Sequence, residues 1–212
     1  MTAYRTALPQ LGGDLFLTDG GLETTLIFHD GIELPDFAAF VLLKDAAGTA
    51  AQTAADMVCA ITMSYVEEAI GITRAAQRAG MPVTVSFTVE TDGRLPTGQT
   101  LQNAIEPVDQ AAAGYPSYYM INCAHPTHFA HVLAEPAPFV QRIHGLRANA
   151  SRMSHAELNE ASALDIGDPA ELGGEYAAFK RRLGHLNVLG GCCGTDHRHI
   201  EQIAAACVPL FK

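Results

Sequence analysis

The chain has 212 residues, 48% apolar and 17% charged, which is ample material for a buried core and too little charge for a disordered chain. Its 13 Lys and Arg stand against 23 Asp and Glu, a net charge of −10 with no basic cluster, so nucleic acid is not expected as a partner. No apolar run reaches the ~18–20 residues of a membrane span, and residues 1–10 lack the apolar stretch of a secretory signal, so a cytoplasmic protein without a membrane partner is expected.

Residues 14–21 predict a short buried strand that runs into an acidic, glycine-rich turn, and residues 23–28 can open a helix. Residues 56–63 form an apolar strand. Residues 66–80 are helical, with Val66, Ala69, Ile70, Thr73 and Ala76 at helix spacing and Gly80 as the stop. Residues 82–89 are the clearest strand, rich in β-branched side chains. A loop over 92–98 leads to a helix over 100–112, then a strand over 118–123 and a helix from Pro126 to about Leu133. Residues 145–150 are a less hydrophobic strand, and residues 151–172 read as a long polar loop over one face. A helix over 174–183, a strand over 187–193 and a helix over 196–207, capped by Thr195 or Asp196, complete the chain. The whole of 1–212 is expected to be a single domain.

Strands alternating with helices imply βαβ units and a parallel sheet. Chemistry-bearing residues recur at strand ends: Asp19, Thr62, Glu90, Cys123, Asn149, Cys192 and Cys193. That is the habit of a (β/α)8 TIM barrel, whereas a doubly wound sheet concentrates its site at one switch point. The count falls short, because a barrel needs eight strands and about 250 residues. Only six strands are found, and roughly two βα units are missing near residues 45–53, within an Ala-rich stretch. Either the barrel is incomplete or a segment is omitted there. Six strands would leave two open parallel edges, so an omitted segment is expected.

Five cysteines, an odd count with two adjacent, argue against a disulfide framework. The strongest signal is Cys192–Cys193 between glycines at the end of the last strand, with Asn122–Cys123 ending an earlier one. Adjacent cysteines rarely bridge each other, but both reach one metal where the backbone turns sharply. A thiolate from Cys123 would join them if both strands end on the same face. Three sulfurs leave one position of a zinc tetrahedron open, as in a catalytic site. Zinc suits thiolates and lacks redox chemistry; its use would be to hold a substrate thiol as a thiolate, ready to attack an activated methyl group.

Thr18-Asp19-Gly20-Gly21, Ile121-Asn122-Cys123 and the run from Gly190 to Thr195 together resemble the homocysteine S-methyltransferase family. The resemblance implies a (β/α)8 barrel whose catalytic zinc is held by Cys123, Cys192 and Cys193, with Asn149 completing the metal shell when no thiol is bound. It further implies that Asp19 and Gly20 hold the amino-acid end of homocysteine. Thr62, Glu90 and Asn122 complete the expected substrate-binding set. One departure is visible: Ile61 stands where the family carries a Glu that contacts the amino-acid substrate, and Glu90 or Glu67 is the candidate substitute. The implied reaction is methyl transfer from a small onium donor to homocysteine, giving methionine. The partners are then a small-molecule thiol acceptor and a methyl donor, and a homo-oligomer is allowed. The alternative is a non-catalytic zinc- or thiol-binding barrel; a redox pair at Cys192–Cys193 is a third reading.

The remaining polar and thiol residues have plainer expectations. Cys59 and Cys207 belong in the core. His125 and His128 cap a helix or face solvent, and Arg147 and Arg152 flank the open face, with a surface role or a hold on a carboxylate.

Overall fold

Alternating apolar patterns and β-branched residues draw six segments into one sheet: β1 (Phe16–Leu17), β2 (Val58–Met63), β3 (Val83–Thr88), β4 (Tyr118–Asn122), β5 (Ile143–Ala148) and β6 (Val188–Gly191). The computed structural model describes residues 4–21, 31, 55–134 and 136–211. The strand order is β1-β6-β5-β4-β3-β2, and every pair is parallel. Successive strands from β2 to β6 lie side by side with no reversal, which removes the doubly wound sheet. β1 lies beside β6, as first and last strands do in a closed barrel. The fold is therefore α/β with a six-stranded parallel sheet, compatible with part of such a barrel.

The described part of the sheet ends at β1 and β2. The shortfall of strands was expected near residues 45–53. Those residues, and the helix expected over 23–28, lie outside the described residues. Both end strands expose apolar side chains: Leu17 at 42%, Val58 at 37% and Ile61 at 39%. Cys59, expected in the core, is exposed for the same reason: it sits on β2, at the end of the described sheet. Cys207 is buried as expected.

Helices α1 (Val66–Arg78), α2 (Leu101–Ala112), α3 (Pro126–Phe129), α4 (His155–Glu160), α5 (Pro169–Arg182) and α6 (His197–Cys207) follow the strands. Strand side chains alternate between two faces. Val85, Phe87, Tyr119, Ile121, Leu146 and Leu189 join the main core, together with Ala69, Ile105, Val108, Leu172, Tyr176 and Ile203 from the helices. The opposite face carries a smaller cluster of Tyr118, Met120 and Val188, with Phe16 and Met57 against it. Thr84, Ser86 and Asn122 are buried polar residues of that second face.

Caps set the helix starts. Thr100 accepts from the Asn103 N–H, His125 from Thr127, and Asp196 from Arg198, so the capping roles expected of His125 and Asp196 hold. The stretch 151–172 is not all loop. Ser154 and Glu157 form a reciprocal capping box that starts α4, and Asp168 with Pro169 starts α5 well before the expected residue 174. α4 is only six residues long and buries none of them, so it has no apolar stripe to betray it.

Candidate metal centre

Cys123 follows β4 in a left-handed conformation, φ 55°. Its backbone is tied on both sides: the N–H donates to Arg147 O at 3.2 Å, and the carbonyl lies 2.6 Å from His155 Nε2. Cys192 and Cys193 follow β6. The Cys192 N–H donates to Ala148 O at 2.8 Å, and the Cys193 N–H to Asn149 Oδ1 at 3.1 Å. The turn is close-packed. A Cβ on Gly191 would run into the Thr195 side chain, and one on Gly190 into Thr18 Oγ1. Gly194, at φ 78°, needs the left-handed region that glycine enters without cost. The Thr195 hydroxyl, in turn, donates to Cys192 O at 2.6 Å.

These turns bring three sulfurs together. Cys123 Sγ lies 2.8 Å from Cys192 Sγ and 4.0 Å from Cys193 Sγ, and all three lie within 4.8 Å of one another. Sulfurs ~2.3 Å from one tetrahedral ion stand about 3.8 Å apart, so the donor set fits a thiophilic divalent metal. Without a cation, Cys123 and Cys192 hold their protons. For Cys123, the Cys192 contact lowers the pKa, but the Cys193 contact and burial outweigh it and push it up to about 12. Cys192 is pushed up to about 12 by its contact with Cys123 and by burial, against the Cys193 contact. Thiolates crowded this closely repel one another, and a bound cation reverses that balance.

The neighbouring residues form a network behind the sulfurs. Thr62 lies in a register shift of β2, with φ 59°. Its N–H donates to Asn122 Oδ1 at 3.0 Å and its Oγ1 accepts from Asn122 Nδ2 at 2.7 Å. Ser86 Oγ also donates to Asn122 Oδ1, at 2.6 Å. Asn122, expected to bind substrate, is thus fully buried with its carboxamide engaged, and it reaches the site through Thr62, whose Oγ1 is 3.9 Å from Cys123 Sγ. Glu90 also acts through another residue: His155 Nδ1 is 3.1 Å from Glu90 Oε1. Both ring nitrogens of His155 thus face oxygens, Nδ1 that of Glu90 and Nε2 that of Cys123.

Asp19 takes a 2.6 Å ion pair from Arg147 Nη2, while Arg147 Nε donates to Gly191 O at 3.2 Å. Arg147 therefore holds a carboxylate of its own chain, and Arg152 pairs with Glu171. Gly20 packs against the turn after Cys193, where a Cβ would come within 3.1 Å of Asp196 Cα.

A cavity of about 770 Å³ opens beside the thiols. Thr62, Cys123, Asn149 and Cys193 line it, joined by Thr88, Ser151, His155 and Asp165. Asp19, Gly20, Glu90 and Asn122 are not in its wall. His155 and Thr88 were not among the residues expected at the site. The capping box at 154–157 is the sequence signal that could have placed His155 at the start of a helix; nothing local marks Thr88.

Parallel strands converge three thiols at their C-terminal ends, a cluster that could hold a metal ion. A family model described as homocysteine S-methyltransferase matches residues 36–207, a stretch that includes all three thiols but begins after Asp19 and Gly20. The chain belongs to the homocysteine S-methyltransferase family, a family of methyl-transferring enzymes. Its relatives include the methionine synthase of Mycobacterium tuberculosis, 32% identical over 149 residues, covering 65% of this chain and 11% of that protein. The methionine synthase of Mycobacterium leprae is 32% identical over 146 residues, with the same shares of 65% and 11%. The chain thus aligns with only about a tenth of the length of these relatives. No helix among the described residues is long and apolar enough to cross a membrane.

Proposed function

We propose that the chain is a zinc-dependent S-methyltransferase that moves a methyl group from a small onium donor to a thiol, with homocysteine as acceptor and methionine as product. The observation that carries the reading is the convergence of Cys123, Cys192 and Cys193 beside a cavity large enough for two small molecules. Family membership and the relatives' printed name, methionine synthase, support the same acceptor. We read the fold as a (β/α)8-type barrel, six of whose strands lie among the described residues, with 1–212 as one domain.

Zinc held by the three cysteines supplies a Lewis acid that lowers the pKa of an incoming thiol. The chain's own residues do the rest. Asn149, whose Oδ1 accepts from the Cys193 N–H, would be the side chain placed to complete the metal shell when no thiol is bound. Thr62, in the cavity wall, contacts the acceptor, Asp19 and Gly20 border the thiol-bearing turn from beyond that wall, and Glu90 acts through His155. The apolar walls Pro96, Leu158, Ala161 and Leu164 exclude water and seat the donor with its methyl carbon facing the acceptor sulfur. No side-chain base is needed, because the acceptor arrives at the transfer step already ionised.

The test is zinc content and turnover on fresh protein. About one zinc per chain is expected, with methyl transfer from S-methylmethionine to homocysteine, and Cys192→Ala should lose both. A reducible Cys192–Cys193 bond in protein without zinc would overturn the proposal in favour of a redox pair. One observation favours a second reading, a metal- or thiol-binding protein without turnover: Ile61 is an exposed apolar residue where the family carries Glu. Tight zinc and homocysteine binding with no transfer from any onium donor would select it.

A further inference from the structure

We infer that the Thr88 hydroxyl binds the polar head of the thiol acceptor, an inference that rests on the acceptor reading above. One face of β3 carries three hydroxyls at alternate positions, Thr84, Ser86 and Thr88. The first two are satisfied by β4: Thr84 Oγ1 donates to Tyr118 O at 2.8 Å, and Ser86 Oγ to Asn122 Oδ1 at 2.6 Å. Thr88 is 3% exposed, and its Oγ1 has no hydrogen-bond partner among the described residues. Its register neighbour on β4 is Asn122, whose oxygen already accepts from Ser86 and Thr62 and whose amide donates to Thr62.

A buried hydroxyl without a partner destabilises the fold, and native proteins leave very few. This one stands in the cavity wall, one register position short of Cys123. The missing partner is therefore supplied by what enters the cavity. A thiol seated with its sulfur at the cysteine cluster brings the rest of its chain along this wall. An α-amino-acid head offers a carboxylate that accepts and an ammonium that donates, and a threonine hydroxyl serves either. A plain alkyl thiol offers neither.

Calorimetric titration of the zinc-loaded full chain with homocysteine and with 1-propanethiol, the same thiol stripped of its head, tests this. Thr88→Val keeps the branched shape without the hydroxyl, and Thr88→Ser keeps the hydroxyl. Thr88→Val should bind homocysteine about tenfold more weakly and 1-propanethiol unchanged, while Thr88→Ser recovers most of the homocysteine affinity. Without any thiol, Thr88→Val should melt at the parent temperature or above it. If Thr88→Val binds homocysteine as tightly as the parent, the inference falls and the acceptor reading stands. An equal loss for both thiols, or a lower melting temperature without ligand, marks a purely structural hydroxyl and also overturns it. A parent chain that binds no homocysteine overturns the acceptor reading and this inference with it.

Discussion

Thr62 and Cys123 are two non-glycine residues with positive φ, 59° and 55°, at neighbouring points of the site. Each such residue costs roughly 1–2 kcal/mol unless its surroundings hold it. Asn122 does the holding at Thr62, using both ends of its carboxamide, and Arg147 and His155 hold the Cys123 backbone. Asn122→Ala would leave the Thr62 N–H and the Ser86 hydroxyl without their acceptor. A loss of about 3 kcal/mol is expected in urea unfolding. Zinc affinity, measured by chelator competition, should fall in the same variant, because Thr62 is released from the flank of Cys123. At this scale the sequence showed residue types but not their partners. The glycines around Cys192 and Cys193 were legible as a tight turn. That Asn122 is a staple was not, because its partners lie on β2 and β3, far off in sequence.

Among the elements, α5 reaches the site through one side chain. The Tyr176 hydroxyl donates to Gly190 O at 2.6 Å and accepts from the Ala148 N–H at 2.8 Å. It thus bridges β5 and β6 just before the turn that carries Cys192. Burial pushes the Tyr176 pKa up, against the Ala148 N–H that lowers it, so the phenol stays a donor. Tyr176→Phe leaves both backbone groups buried and unpaired. It should cost about 1–3 kcal/mol in thermal or urea unfolding and loosen zinc, while Tyr176→Leu adds a cavity and costs more. The six strands among the described residues were legible from short apolar runs and β-branched side chains, and α1, α2 and α6 from apolar spacing and caps. The start of α5 was missed because Asp168 and Pro169 precede its apolar residues, and α4 because it has none facing the core.

In the whole molecule the metal ligands join two strands that are not neighbours. β4 and β6 are separated by β5, so an ion shared by Cys123, Cys192 and Cys193 clips the sheet across three strands. Chelation should lower the melting temperature and added zinc restore it, since a ligand that binds only the folded chain stabilises it by mass action. The metal-free chain should also weaken at alkaline pH. Its Cys123 and Cys192 thiols ionise near 12 when folded and near the ordinary 9.0 when unfolded. Below 9.0 both states keep their protons and nothing changes. Above it the unfolded chain loses protons first, so stability drops as pH rises towards 12. The zinc-loaded chain should show the opposite trend in acid, where protons compete for the thiolates. Melting curves across pH, with and without chelator, check both signs.

Strand and helix periods, caps and the glycine-flanked thiols depend on residues a few positions apart, and these the amino-acid sequence determined alone. The tertiary structure decided what depends on which segment lies opposite which. It set β1 beside β6, left Cys59 exposed on β2, turned Asp19 towards Arg147, drew His155 onto Cys123 and left the Thr88 hydroxyl without a partner among the described residues. Each of these joins residues from different strands or loops, and whether a polar group is satisfied is a property of the packed neighbourhood that no local pattern encodes.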